Sequence, residues 1–327
     1  MEFLLTIAND ESEWDALVAA SPQGSVFSGN HFLRALASPC TRYVVRTPHG
    51  EALAAVAVVE NVDTPGMHPA PFPFTPYQGI LFGKTVAAQP RHKRITTEFR
   101  ITDFMIRSLI ERYGDFSMAL SPAFDDLRPF LWHNYHQPDA PHFIIRSRYT
   151  AILDLTGFQL DSYLKSIRAV RRQEFNKSSA EIAETADVTL FLDLYLKTFE
   201  RQEITVSAQQ QALVRNICTS ALTHGYGRLS MATTDSGVAS MSLFIHDQRC
   251  AYYLFGANDP ELRNSGASTA LMVDNISGMA ERGMDRLDFV GVNSPNRGDF
   301  KLSFNPELTP YQEVQLALPL ARFGHTA

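Results

Sequence analysis

The six residues Arg263-Asn264-Ser265-Gly266-Ala267-Ser268 stand directly before an apolar repeat that reads as a helix, Thr269 to Arg282. Unpaired backbone N–H groups at such a start, with the positive end of the helix dipole, make a seat for an anion such as a phosphate or pyrophosphate. Serine and glycine are also ordinary capping choices, and these residues alone leave both readings open. Nothing in the chain indicates a covalent nucleophile: there is no G-x-S-x-G and no Cys/His arrangement. Cys40, Cys218 and Cys250 are widely spaced without a C-x-x-C and read as core or incidental thiols. His133 and His136 are three apart, but Asn134 and Pro138 make that stretch loop-like and no third ligand is near, so no metal is predicted. An inventory of this kind leaves room for a reaction whose nucleophile is the substrate's own. A neutral amine is itself the nucleophile, and the protein must only accept a proton, align the reactants and stabilise an oxyanion. Asp288 at a strand start and Glu203 near Arg201 are available carboxylates, with water or the substrate as alternative bases.

The elements around these residues follow from periodicity and turn chemistry. Arg228 to Thr234, Val238 to His246 and Cys250 to Gly256 read as three strands, and the short turns between them require antiparallel pairing. After the loop and its helix, Gly283 is placed to end the helix in the left-handed conformation, and Arg286 to Val290 reads as another strand. Upstream, Gln159 to Phe175 carries Leu160, Tyr163, Leu164, Ile167 and Val170 on one helical stripe, with Lys165, Arg168 and Arg172 on other faces. The first half reads as a helix Trp14 to Ala20, strands Arg42 to Val45 and Ala52 to Val59, a proline-rich loop Thr64 to Pro76, a helix Thr96 to Tyr113, and strands Phe116 to Leu120 and Tyr149 to Leu155. At 327 residues the chain suits two domains, set here at 1–150 and 151–327.

Three antiparallel strands, a small-residue loop, a helix and a further strand resemble the order by which the N-acetyltransferase (GNAT) superfamily holds the pyrophosphate of acyl-CoA. The tail Asp288-Phe289-Val290-Gly291 with Phe300-Lys301-Leu302-Ser303-Phe304 resembles the D-F-x-G … F-K-x-x-F signature of the Fem peptidyltransferase-like and CelD/BioF-like branch of that superfamily. Ser25-Val26-Phe27, Pro76-Tyr77-Gln78-Gly79, Asp126-Leu127-Arg128-Pro129-Phe130, Ile167-Arg168-Ala169-Val170-Arg171-Arg172 and Tyr253-Leu254-Phe255-Gly256-Ala257 agree with the branch in order and spacing. The chain departs from it in lacking a long coiled-coil arm, and R-N-S-G-A-S is not a clean Q/R-x-x-G-x-G/A coenzyme A signature. The resemblance implies an α+β protein of tandem GNAT-like domains, each a mixed, largely antiparallel sheet flanked by helices, with the ligand cleft between them. By resemblance, Lys301 supports the transition state, Phe300 and the loop Ser265, Gly266, Ala267 and Ser268 contact the donor, and Arg201, Tyr253 and Tyr77 contact the acceptor. From the residues alone, Arg201 equally reads as a charge at a helix C-terminus and Tyr253 as sheet packing. Asp126 and Arg128 read as a turn-stabilising ion pair or as a substrate clamp.

Composition bounds the function. Apolar residues make up 45% and charged residues 20%, a globular balance. A net charge of −6 argues against a surface dedicated to DNA, although Arg91, Lys93 and Arg94, and Lys165, Arg168, Arg171, Arg172 and Lys177, are local basic clusters. No apolar run approaches a membrane span and the N-terminus turns acidic at once, so a cytoplasmic protein is expected. The reading is an N-acyltransferase or aminoacyltransferase acting on an amine of a cell-envelope precursor, amino sugar or small metabolite. Acyl-CoA or aminoacyl-tRNA is its co-substrate and no cofactor is tightly bound. The alternative is a non-catalytic GNAT-like protein that binds a glycan precursor or a protein partner.

Overall fold

The computed structural model describes residues 2–60, 66, 72–200 and 203–317. Its elements are β1 (Leu4–Ile7), α1 (Glu11–Ala20), α2 (Asn30–Ala35), β2 (Cys40–Arg46), β3 (Ala52–Val59), β4 (Leu81–Phe82), α3 (Lys84–Ala87), α4 (Arg91–Tyr113), β5 (Ser117–Ala119), α5 (Arg128–Leu131) and β6 (His142–Asp154). There follow α6 (Leu160–Ser166), α7 (Ala169–Lys177), β7 (Glu181–Glu184), α8 (Val188–Glu200), α9 (Ala208–Thr223), β8 (Gly227–Thr234), β9 (Gly237–His246), β10 (Cys250–Asn258), α10 (Ala267–Glu281), β11 (Arg286–Asp288), α11 (Pro295–Leu302) and β12 (Glu307–Ala317). No helix among the described residues is long and apolar enough to cross a membrane.

Two compact units divide the chain: Met1–Asn30, Ser38–Arg148 and the segment from Pro310 in the first, His31–Ala37 and Tyr149–Thr309 in the second. They differ from consecutive halves in two places, since residues 31–37 count with the second unit and the chain from Pro310 with the first.

In the first unit β1, β2, β3 and β4 form an antiparallel sheet in that order. Alternate residues of β3, such as Ala54, Val56 and Val58, pack with Ile101, Met105, Ile106 and Leu109 of α4. Helix α4 begins at Arg91 and not at the expected Thr96: its first turn is basic and mostly exposed, so the apolar period starts only after the helix has begun. Asp126 accepts two bonds from the Arg128 guanidinium, at 2.8 and 2.6 Å. Of the proline-rich loop, only Gly66 and residues 72–76 are described.

In the second unit the inner half of β6 is followed across the sheet by β11, β10, β9, β8 and β7. All neighbouring pairs are antiparallel except β10 with β11. Helix α10 lies on β8 and β9 through a buried amide: Asn275 Nδ2 donates to Leu271 O at 2.9 Å and to Ser242 Oγ at 3.2 Å, while its Oδ1 accepts from Ser230 Oγ at 3.1 Å. Gly283 ends that helix at φ +81°.

The expected helix Gln159 to Phe175 is corrected to two helices, α6 and α7. The break falls at Ile167 and Arg168, which take extended backbone angles. Tertiary bonds replace helical ones there: Arg168 N–H donates to Ser303 O at 3.0 Å and Tyr163 Oη donates to Phe304 O at 2.9 Å. Ile167 is buried, whereas Leu160 and Val170, expected on the same stripe, are exposed.

Candidate active site

Strands β10 and β11 part company midway. Their parallel pairing covers Cys250↔Arg286, Ala251↔Leu287 and Tyr252↔Asp288, after which β10 continues to Asn258 and β11 stops. On its other side β10 stays paired to β9 with a register shift between Tyr253 and Phe255. An irregularity of this kind bends its strand and increases the local twist. The sheet therefore opens beside Tyr253, and the residues that line the opening come from β10, from the turn after β11 and from α11.

That turn is strained. Val290 has φ +47° and Gly291 has φ +59°. A left-handed β-branched residue is disfavoured by about 1–3 kcal/mol and persists only where its surroundings enforce it. Both backbone polar groups of Val290 are held. Its N–H donates to Asp288 Oδ1 at 2.8 Å, and its carbonyl accepts from Lys301 Nζ. Asp288 is itself buried and also accepts from the Thr150 hydroxyl. A carboxylate and an ammonium thus grip one residue from opposite ends.

Lys301 is carried back over the opening by α11, its Nζ 5.1 Å from the centre of the Tyr253 ring. Burial lowers its pKa from the ordinary 10.5 to about 8, with Asp288 opposing that shift and Arg297 adding to it. The side chain is therefore mainly an ammonium at neutral pH and close to its titration point. Burial pushes the Tyr253 phenol up to about 12, so it stays a neutral hydrogen-bond donor. Its ring stacks on Phe244 at 5.1 Å. Gly256 gives the ring its room: a Cβ there would lie 2.0 Å from the Tyr253 hydroxyl.

Phe300 packs edge-on against Phe304, which stacks on Phe289, at 5.1 and 6.1 Å. Arg171 of α7 closes the cluster. Its guanidinium lies 4.9 Å over the Phe300 ring, donates from Nε to Ser303 Oγ at 2.9 Å, and pairs with Glu174 at 2.5 Å. The basic helix α7 therefore supports α11 and is more than a solvated face.

The loop before α10 is tightly held. Gly266 caps the helix at φ +76°, and a Cβ there would meet Glu174 O at 2.5 Å. Ser265 Oγ donates to Leu262 O at 2.7 Å, Ser268 Oγ donates to Asn258 Oδ1, and Thr269 Oγ1 donates to Glu174 Oε2 at 2.6 Å. The anion-favouring end of α10 thus faces the Glu174 carboxylate. Because the left-handed angle and the close carbonyl both act at one atom, Gly266→Ala is expected to destabilise the protein by about 2 kcal/mol or more in urea unfolding. Gly283→Ala, where nothing stands near the new methyl, is expected to cost about 1 kcal/mol.

The structure brings Lys301, Phe300 and Tyr253 together in the second unit. The loop 265–268 starts α10 in the same unit. Tyr77 lies in the first unit, buried against Phe27 and Tyr311 at ring separations of 5.9 and 5.3 Å. Arg201 lies outside the described residues. Among the described residues no group of His, Cys, Asp or Glu is placed to hold a metal ion. Buried Cys218 and Cys250 have thiols pushed up by desolvation and are poor nucleophiles. Sequence reasoning missed the grip on Val290, the Arg171 clasp and the role of Glu174. For Glu174 one signal exists, an acidic residue amid the arginines and lysine of an otherwise basic helix.

Residues 161–302 match the family model described as an acetyltransferase (GNAT) domain. Over the whole chain the fold is similar to the crystal structure of FemX, at 12% identity and TM-score 0.67, covering 95% of this chain and 97% of that one. It is also similar to a tandem GNAT protein from the clavulanic acid biosynthesis pathway, at 13% identity and TM-score 0.56, covering 98% and 99%. The C-terminal domain of a putative lysylphosphatidylglycerol synthetase from Agrobacterium fabrum is similar too, at 11% identity and TM-score 0.54, covering 93% and 91%. The fold is thus the tandem GNAT fold. No curated protein matches the sequence.

Proposed function

We propose that this chain, whose residues 161–302 match the family model of a GNAT acetyltransferase domain, transfers an acyl or aminoacyl group to the amine of a cell-envelope precursor, amino sugar or small metabolite. The observation that carries the reading is the partly buried Lys301 ammonium in the opening between β10 and β11. In the reaction the neutral amine attacks the acyl carbonyl, a C–N bond forms, and charge gathers on the carbonyl oxygen. Collapse then breaks the bond to the thiolate or alkoxide of the donor, which takes up, directly or through water, the proton that the attacking nitrogen sheds on becoming an amide. Lys301 provides positive charge for the oxyanion in a poorly hydrated setting, where such charge is most effective. Tyr253 adds a neutral donor at the same opening. Phe300 borders the donor's acyl end, and Arg201 and Tyr77 are assigned to the acceptor. Asp288 is engaged with Thr150 and Val290, which suits it to fixing the turn rather than to accepting the amine's proton.

The donor is acyl-CoA or aminoacyl-tRNA, with Ser265 to Ser268 as the assigned donor loop. Glu174 bonds to Thr269 in the first turn of α10, so a phosphate seated at the start of that helix would lie near its carboxylate. The test is amide formation by the purified protein with acetyl-CoA, longer acyl-CoAs and charged tRNA against a panel of amines, read by mass spectrometry. Amide product from at least one donor, together with a donor-dependent rise in melting temperature, is the expected result. Absence of product and of any thermal response with every donor would remove the catalytic reading.

A further inference from the structure

An aromatic groove of about 510 Å³ on the first unit contains none of the residues assigned to acyl transfer. Phe99, Asp103 and Arg107 line it from one face of α4, at i, i+4 and i+8, and Trp132, Tyr135 and His136 face them from the turn after α5. Trp132 is 52% exposed and Tyr135 67%, although large aromatic side chains are ordinarily well covered. The turn that carries these rings is held by its own hydrogen bonds. Tyr135 N–H donates to Trp132 O at 3.1 Å, Gln137 N–H to Asn134 O at 2.8 Å, and Asn134 Nδ2 to Pro141 O at 2.9 Å, with Asn134 itself at φ +56°. Over Trp132 the Arg128 guanidinium, fixed by Asp126, lies 5.5 Å from the ring centre, and Phe99 stands 5.3 Å away.

We propose that this groove binds a sugar ring of a neutral saccharide. A pyranose has C–H faces that lie on aromatic rings and a rim of hydroxyls that both donate and accept. The groove offers those two things together: two exposed rings, and beside them a carboxylate and a guanidinium joined at 3.1 Å, with the His136 imidazole. That ion pair leaves the lining with no excess charge to attract a phosphodiester. An apolar peptide segment would cover Asp103, Arg107 and His136 without answering their hydrogen bonds, which is costly. The groove is open, so it suits one unit of a chain rather than an enclosed small molecule.

Tryptophan fluorescence of the full-length protein tests the proposal, because the chain has two tryptophans and Trp14 is fully buried, leaving Trp132 as the accessible reporter. The probes are neutral oligosaccharides, namely β-1,4-linked N-acetylglucosamine trimer, cellotriose and maltotriose, with AMP and an apolar decapeptide as controls. At least one saccharide is expected to shift the emission and protect it from iodide, saturating with a Kd of roughly 10 μM to 1 mM. Tyr135→Ala, on an exposed side chain, is expected to weaken that binding about tenfold with an unchanged melting temperature. Saturation-transfer NMR of the same saccharide should show its ring protons on the protein, and Trp132→Ala should abolish the signal. The proposal is overturned if no saccharide changes the fluorescence, if binding survives both substitutions, or if only AMP or the peptide protects Trp132. None of these readouts depends on acyl transfer, so failure here and failure there are separate results.

Discussion

Lys301→Ala is expected to lower acyl-transfer turnover about 10²–10³-fold with little change in KM, since a group that acts on charge present only in the transition state affects kcat rather than ground-state binding. The pH profile carries the sign of its role. With a pKa of about 8, the side chain is an ammonium at pH 7 and is lost as one through about pH 8 to 9. If the ammonium stabilises the oxyanion, the single-turnover rate falls as pH rises through about 8, and this limb disappears in Lys301→Met. A rate that rises through the same pKa would make the neutral amine the proton acceptor and reverse the assignment. Stability moves with the same proton. The folded pKa is depressed below the ordinary 10.5, so between about pH 8 and 10.5 the unfolded chain binds more protons and wild-type stability rises with pH across that window. Lys301→Met lacks this slope and should be more stable at about pH 7, by at most about 3 kcal/mol, because the lost bond to Val290 O offsets part of the gain. An inactive variant that melts higher is what a site held against its own stability produces.

How much of this site the sequence discloses depends on whether local or distant chemistry decides it. The meander β8 to β10 and helix α10 are legible because short polar turns and a helical apolar period settle them within a few neighbours, and Gly283 ends α10 as its type requires. Helix α9 carries a start signal too, a capping box of Ser207 and Gln210, but a serine and a glutamine at that spacing are too common in any chain to mark an element by themselves. The stripe from Leu160 to Val170 misleads because bonds to Ser303 and Phe304, far along the chain, break the helix at Ile167. Residue type gives no warning of Val290, since valine is among the residues least suited to a positive φ. Its conformation comes from Asp288 on one side and Lys301 on the other, and their meeting is visible only in three dimensions.

Asp288→Asn is expected to separate the charge of that carboxylate from its hydrogen bonds. The amide oxygen can still accept from Val290 N–H and the Thr150 hydroxyl, so the turn should persist, but the negative charge that raises the Lys301 pKa is gone. Lys301 should then lose its proton at a lower pH than in the wild type. The falling limb of the rate profile moves to the acid side, turnover near pH 8 drops, and it recovers in part below about pH 7. Asp288→Ala removes the acceptor altogether and leaves two donors facing apolar surroundings, at a cost of about 1–3 kcal/mol for each. Its unfolding midpoint in urea should fall well below that of the Asn variant. A rate limb that stays in place in Asp288→Asn would mean that Lys301 does not feel Asp288, whereas equal stabilities for the Asn and Ala variants would mean that the carboxylate does not hold the turn. Only if both effects appear is Asp288 the residue that sets the charge state of Lys301 and the shape of the backbone it grips.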